Sequence, residues 1–217
     1  MRIRLDRNVA HLADWIAQQG RELIPEFREA ERFLQALDPT AEYFSFRTFS
    51  DSPYTRQPGR DPLERAIHGG LRECWDELTE LSRRGAAVCV TINRTNGKGR
   101  EVTDIEQVRA LFLDDDNPPE NVDRFPLSPQ IQVKTSAGHY HHYWLTDNLP
   151  LSAFTPLQRE LACRYGGDQK VQALNQTMQL PGLWRRKQLT KPQLPTIIKN
   201  IKLSVYSKNQ LEKLLSA

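Results

Sequence analysis

The stretch VRALFLDDDNPP, residues 108–119, constrains the fold more than any other part of the chain. Val108–Leu113 reads as a buried strand that runs directly into Asp114, Asp115 and Asp116, after which Pro118-Pro119 break the chain. Side chains alternate across a strand, so Ala110, Phe112, Asp114 and Asp116 share one face, and Leu111, Leu113 and Asp115 share the other. Two carboxylates projecting together repel unless a cation sits between them, and hard divalent ions such as Mg²⁺ favour that arrangement. A solvated acidic loop is the simpler reading of DDD alone. The apolar strand leading into it argues for fixed ligand geometry instead.

Around this strand the chain reads as helices first and strands later. Residues 8–18 and 26–37 have helical apolar spacing, and Tyr43–Phe49 alternates like a strand. The spacing of Leu63, Ile67, Leu71, Cys74, Leu78 and Leu81 predicts one long helix over 62–83, ended by Gly85. Ala86–Ile92 predicts a strand, and Asn93–Gly99 is turn chemistry. Ile131–Thr135 and His139–Leu145 predict a hairpin about Ser136-Ala137-Gly138. A helix over 156–165 is expected, with Pro156 at its first position and Gly166-Gly167 after it. Leu180-Pro181-Gly182 makes a further break, followed by a strand over 197–206 and a short helix over 208–215. The sum is an α+β domain with a mostly antiparallel sheet. At 217 residues it fits one domain, or two small lobes sharing a core.

Two more groups can carry chemistry. His139, His141 and His142 are three of only five histidines. On a strand His139, His141 and Tyr143 share a face, while Tyr140, His142 and Trp144 share the other. A glycine turn just before them offers free N–H groups to phosphate oxygens, to which a histidine can also donate. Asp168, after Gly166-Gly167, is a weaker signal, because an aspartate there commonly turns the chain. Two acids at a strand end, a third acid, a histidine beside a glycine turn and a basic groove suit nucleotidyl transfer. In that chemistry the protein positions its substrates and neutralises charge.

Charge suits a polyanion partner and a merely soluble basic end equally well. From Arg185 to the C-terminus eight basic residues face one acid, a net +7, although the whole chain carries only +3. Cys74, Cys89 and Cys163 are far apart with no CxxC pair, which argues against a zinc ribbon and a disulfide framework. No run reaches the roughly 18 apolar residues of a membrane span, and MRIRLDRNVAHLADW lacks the apolar core of a signal peptide. A cytoplasmic protein without membrane contact is expected.

The order strand-DxD, then S-x-G-x-x-H on strands, then a downstream Asp resembles the archaeo-eukaryotic primase (primase-polymerase) superfamily, and most closely the RepB-like primases of plasmids, phages and integrated elements. The matching stretches are FSFRTFSD, VTINRTNGKGR, VRALFLDDD, TSAGHYHHYWL, LQRELACRYGGD and LPGLWRRK. The resemblance implies a primase-polymerase core with an RRM-like sheet and a helical N-terminal module. It divides the chain into a helical segment 1–40, a catalytic core 41–190 and a basic segment 191–217. It implies Asp114, Asp116 and Asp168 as ligands of Mg²⁺ or Mn²⁺, with His141, Ser136 and Gly138 at the phosphates of the incoming nucleotide. Arg185, Arg186 and Lys187 would touch nucleotide or template, and Lys98 and Arg100 in the glycine turn are further candidates for nucleic-acid contact. The implied partners are single-stranded DNA template, nucleoside triphosphates and a helicase or separate initiator. Gln176 and Gln179 depart from the pattern, standing where similar proteins often carry arginine, and so does His139.

Two other readings compete. His139-Tyr140-His141 loosely fits a His-hydrophobe-His single-strand endonuclease, which needs a tyrosine nucleophile on a helix, here Tyr165. A non-catalytic RRM-like nucleic-acid-binding module would make Asp114 and Asp116 dispensable.

Overall fold

In a computed structural model, residues 23–52, 61–116, 124–188, 191–200 and 204–216 are described. The helix expected over 8–18 and the Pro118-Pro119 break lie outside them. Helix α1 (Phe27–Leu37) buries Ala30, Phe33, Leu34 and Leu37, which recur at three- and four-residue spacing. Strand β1 (Phe44–Ser50) points Phe44 and Phe46 into the core and leaves Ser45 and Arg47 on its other face. Strands β2 (Arg65–Gly69) and β3 (Ala86–Thr91) flank β1, and helix α2 (Leu71–Arg83) lies between them in sequence. Then come β4 (Arg94–Thr95), β5 (Ile105–Gln107), β6 (Ala110–Asp116), β7 (Ile131–Ser136) and β8 (His139–Leu145). Helix α3 (Leu151–Tyr165), β9 (Thr177–Gln179), β10 (Thr196–Asn200) and helix α4 (Lys208–Ser216) complete the order.

The α+β class and the antiparallel pairing match expectation, but the strands divide into two four-stranded sheets. One has the order β2-β1-β3-β9, the other β10-β7-β8-β6, and β4 pairs with β5 separately. One apolar core joins them: Phe33 and Leu34 of α1, Phe46, Val88 and Val90 of the first sheet, Phe112, Val133 and Tyr143 of the second, and Leu211 and Leu214 of α4. Among the described residues no helix is long and apolar enough to cross a membrane.

Three expected elements change. The helix predicted over 62–83 is a strand followed by a helix. Residues 65–69 pair with β1, and Gly70 caps α2, its N–H donating to Glu73 Oε2 at 3.1 Å. Leu63 and Ile67 pack with Leu81 in a small cluster, and Ile67 also meets the main core, so their spacing imitates a helical stripe. Helix α3 begins at Leu151, which places Pro156 inside it and removes one intrahelical N–H donor. The strand expected over 197–206 runs from Thr196 to Asn200 only. Tyr206 instead anchors its segment, with N–H to Leu145 O at 2.7 Å and hydroxyl to Ser128 O at 2.9 Å. Cys74 and Cys89 are buried and Cys163 is exposed, all as free thiols.

Candidate active site

Strand β6 carries all three aspartates, and its pairing with β8 sets Asp114 opposite His141 and Asp116 opposite His139. Ser136-Ala137-Gly138 makes the turn between β7 and β8, with Gly138 at φ 74°, a left-handed conformation that favours glycine. The face predicted by alternation is therefore built: Asp114, Asp116, His139 and His141 stand together. His141 Nε2 lies 3.5 Å from Asp114 Oδ1, and His139 Nδ1 contacts Asp116 Oδ1. Burial opposes ionisation of Asp114. The neighbouring His141, then Arg185 and His139, outweigh it and hold the carboxyl below its ordinary range. His141 is buried, and its Nδ1 meets the Tyr143 hydroxyl at 3.3 Å.

Asp168 reaches the same place by its main chain. Its N–H donates to Asp114 O at 3.1 Å, while its exposed carboxylate accepts from Lys170 N at 2.9 Å. Gly167 makes the approach possible, since a Cβ there would stand 2.3 Å from Leu113 Cδ1. Among the described residues no three His, Cys, Asp or Glu side chains are arranged to hold a metal. The oxygen donors of Asp114 and Asp116 nevertheless fit Mg²⁺ or Mn²⁺. Mg²⁺ in particular is commonly bound through one or two carboxylates and completes its shell with water and substrate phosphate.

The basic candidates separate. Arg185 acts electrostatically on both Asp114 and Cys89. Arg47 stands opposite Cys89 on the first sheet and pairs with Glu64 at 2.9 Å, and the Arg100 charge also bears on Cys89. The Nε atoms of Arg47 and Arg185, Thr91 Oγ1 and Gln179 Nε2 are buried there without a hydrogen-bond partner among the described residues. Arg186 is committed elsewhere. Its guanidinium donates to Arg83 O at 3.0 Å and its N–H to Asp51. Lys187 and Lys98 are exposed, and the Gln176 side-chain amide donates to Thr177 O at 3.4 Å.

Asp115, which alternation places on the opposite face of the strand, forms a buried network behind it. Asp115 is 2% exposed, pairs with Arg124 and accepts from His142 Nε2 at 2.9 Å. His142 Nδ1 meets Gln132 Nε2 at 3.1 Å, which fits a neutral imidazole carrying its proton on Nε2. Burial pushes the His142 pKa down despite Asp115. Burial alone would raise Asp115, but His142 and Arg124 hold it below its ordinary range.

Both shifts have one sign for stability. The unfolded chain takes up the histidine proton near pH 6.5 and the aspartate proton near about 3.9, each before the folded protein does. The stabilisation is full above those values and is lost as pH falls through the lower, folded ones. The thermal midpoint should therefore drop on acidification from pH 7, and His142→Gln should flatten the part that begins near about pH 6.5. An unchanged slope in that variant would remove His142 from this role.

Tyr165, the nucleophile required by the endonuclease reading, lies on this rear side. Its hydroxyl donates to Leu214 O at 2.8 Å and its ring meets Phe125 edge-on, so it is not presented to the histidines.

No curated protein matches the chain. Among solved structures it is similar to the AEP domain of the cyanophage S-2L primase-polymerase, with TM-score 0.68 and 16% identity over 88% of this chain and 98% of that one. It is also similar to the catalytic domain of primase RepB′ in complex with initiator DNA, with TM-score 0.59 and 16% identity over 88% and 93% of the two chains. A further structure of primase RepB′ gives TM-score 0.57 at 16% identity over 88% and 62%. These likenesses carry the fold. The sequence model of the RepB DNA-primase N-terminal domain matches residues 89–208, more than half of the chain and all of β6 to β10. The chain belongs to the RepB primase family.

Proposed function

We propose that this protein is a DNA primase or primase-polymerase that joins nucleoside triphosphates on a single-stranded DNA template, with residues 41–190 as its catalytic core and Asp114 and Asp116 as its metal-binding pair. The observation that carries the reading is the shared face of Asp114, Asp116, His139 and His141 at the end of paired strands. A divalent cation bound by the two carboxylates would polarise the α-phosphate and offset the charge of the departing pyrophosphate. The chain's own groups position the reactants. His141 donates to a phosphate oxygen, and the Ser136–Gly138 turn supplies N–H groups beside it. Arg185, which bears on Asp114, meets phosphate charge beside the acidic pair, with Arg100 and the Glu64-paired Arg47 as further cations near the same sheet. The 3′-hydroxyl gives up its proton to solvent as its oxygen bonds to the α-phosphorus, and the bond from that phosphorus to the oxygen bridging to the β-phosphate breaks, releasing pyrophosphate. Asp168 would join as a third acid by turning its carboxylate from Lys170. A replicative helicase or a separate initiator is the partner this activity would need, and the primase RepB′ solved with initiator DNA is consistent with template binding.

His141→Ala removes a charge-assisted hydrogen bond worth about 1.5–3 kcal/mol, so the nucleotide KM should rise roughly 10- to 100-fold with a smaller change in kcat. Steady-state kinetics at varied nucleotide concentration read this directly. The activity itself is tested by incubating the protein with single-stranded template, labelled triphosphates and Mg²⁺ or Mn²⁺, with and without a primer. Labelled chains are expected. Their absence in both arms, or a covalent protein–DNA adduct through Tyr165, would defeat the reading.

A further inference from the structure

Asp114 and Asp168 reach the site on separate stretches of chain, and one buried side chain ties those stretches together. Strand β6 is the outer strand of its sheet, so the main-chain groups of Phe112 point away from β8 toward helix α3. Phe112 N donates to Gln158 Oε1 at 3.1 Å, and Gln158 Nε2 donates back to Phe112 O at 2.5 Å. The second Nε2 hydrogen goes to Val171 O at 3.0 Å. Val171 N in turn donates to Asp168 O at 3.0 Å, and Asp168 N to Asp114 O at 3.1 Å. These bonds close a ring running Phe112, Gln158, Val171, Asp168, Asp114. Gln158 is 1% exposed, and its amide stands in for the neighbouring strand that β6 lacks on that side.

We infer that Gln158 is a positioning residue: by fixing the Asp168 loop against the Asp114 strand, it sets the affinity of the acidic site for its divalent cation. The inference rests on the metal-binding reading of Asp114. Leucine at 158 would leave the Phe112 N–H, the Phe112 carbonyl and the Val171 carbonyl without the amide. Glutamate could still accept from Phe112 N, but would turn negative charge on both carbonyls. The groups bonded are main chain, so the loop sequence can vary while the link persists.

The test compares the parent, Gln158→Leu, Gln158→Glu and Asp114→Asn. Binding of Mn²⁺ alone is measured by electron paramagnetic resonance, beside thermal unfolding and steady-state synthesis. Outer-shell partners of metal ligands typically govern about 10- to 100-fold in metal affinity, so a folded Gln158 variant should bind Mn²⁺ at least about tenfold more weakly. Its kcat should fall while its nucleotide KM changes little. A purely structural glutamine would lower the melting temperature without moving Mn²⁺ affinity in the folded protein, and that result overturns the inference. So does failure of both Gln158 variants to fold, since the residue would then hold the fold and not the site. Asp114→Asn separates the two claims. If it binds Mn²⁺ and synthesises like the parent, or if the parent binds no Mn²⁺, the metal-binding reading fails. If it loses both properties while the folded Gln158 variants keep them, only the role of Gln158 falls.

Discussion

Asp114→Asn should lower nucleotide incorporation about a thousandfold or more while leaving the protein folded. The substitution keeps the size of the side chain and its place opposite His141. It removes the negative charge that His141, Arg185 and His139 help to maintain. Charge stabilisation by a bound cation is worth several kcal/mol in the transition state, and each 1.36 kcal/mol is a factor of ten in rate. Asp116→Asn should act alike. The double variant should be little worse than either single one, because the two carboxylates work as a unit. Single-turnover incorporation with labelled nucleotide gives the rate, and circular dichroism checks the fold. Retention of parental rate by either asparagine variant would leave the acidic pair without a catalytic role.

The second large effect concerns the opposite end of the same strand. Arg109, immediately before β6, is 4% exposed, and its Nε donates to Asp38 Oδ2 at 2.7 Å. Its guanidinium also lies 4.8 Å from the Phe44 ring. Asp38 closes α1 and accepts from the Thr40 N–H at 3.1 Å as well. Asp38→Ala strands a buried guanidinium, a change that typically costs about 3–5 kcal/mol. For a chain of this size that corresponds to a melting temperature about 10 °C lower. The companion Asp38→Leu with Arg109→Met removes both charges and should recover much of the loss. A single variant within about 1 kcal/mol of the parent would show that Arg109 finds other solvation.

The parts of this molecule most legible in the sequence are those where periodicity and chemistry agree. Val108–Leu113 could be read as a strand because it is apolar and ends in charge, and alternation then put Asp114 and Asp116 on one face. The hairpin about Gly138 was legible because a glycine turn separates two β-rich runs. Residues 62–70 were not, because Leu63, Ile67 and Leu71 satisfy a helical spacing while their partners, β1 and Leu81, are distant along the chain. Gly69-Gly70 was the local signal of the break. Asp115 and His142 look solvent-facing or redundant in one dimension. Only the register of β6 and β8 and the approach of Arg124 reveal a buried network. Arg47 carried a weak sign, a charge inside an alternating strand. Gln158 carried another, a polar residue in line with Phe154 and Leu161 on the buried side of α3. The stance of the Asp168 carboxylate is set by a turn within its own loop, which spacing alone does not report.

Crystals grown with Mn²⁺ and a non-hydrolysable nucleoside triphosphate, measured at the manganese absorption edge, locate the cation itself. An anomalous peak bonded to carboxylate oxygens of both Asp114 and Asp116, with triphosphate oxygens completing its shell beside His141, is the predicted result. A triphosphate bound with its cation remote from β6, or a peak held by His139 and His141 without either aspartate, would contradict the assignment.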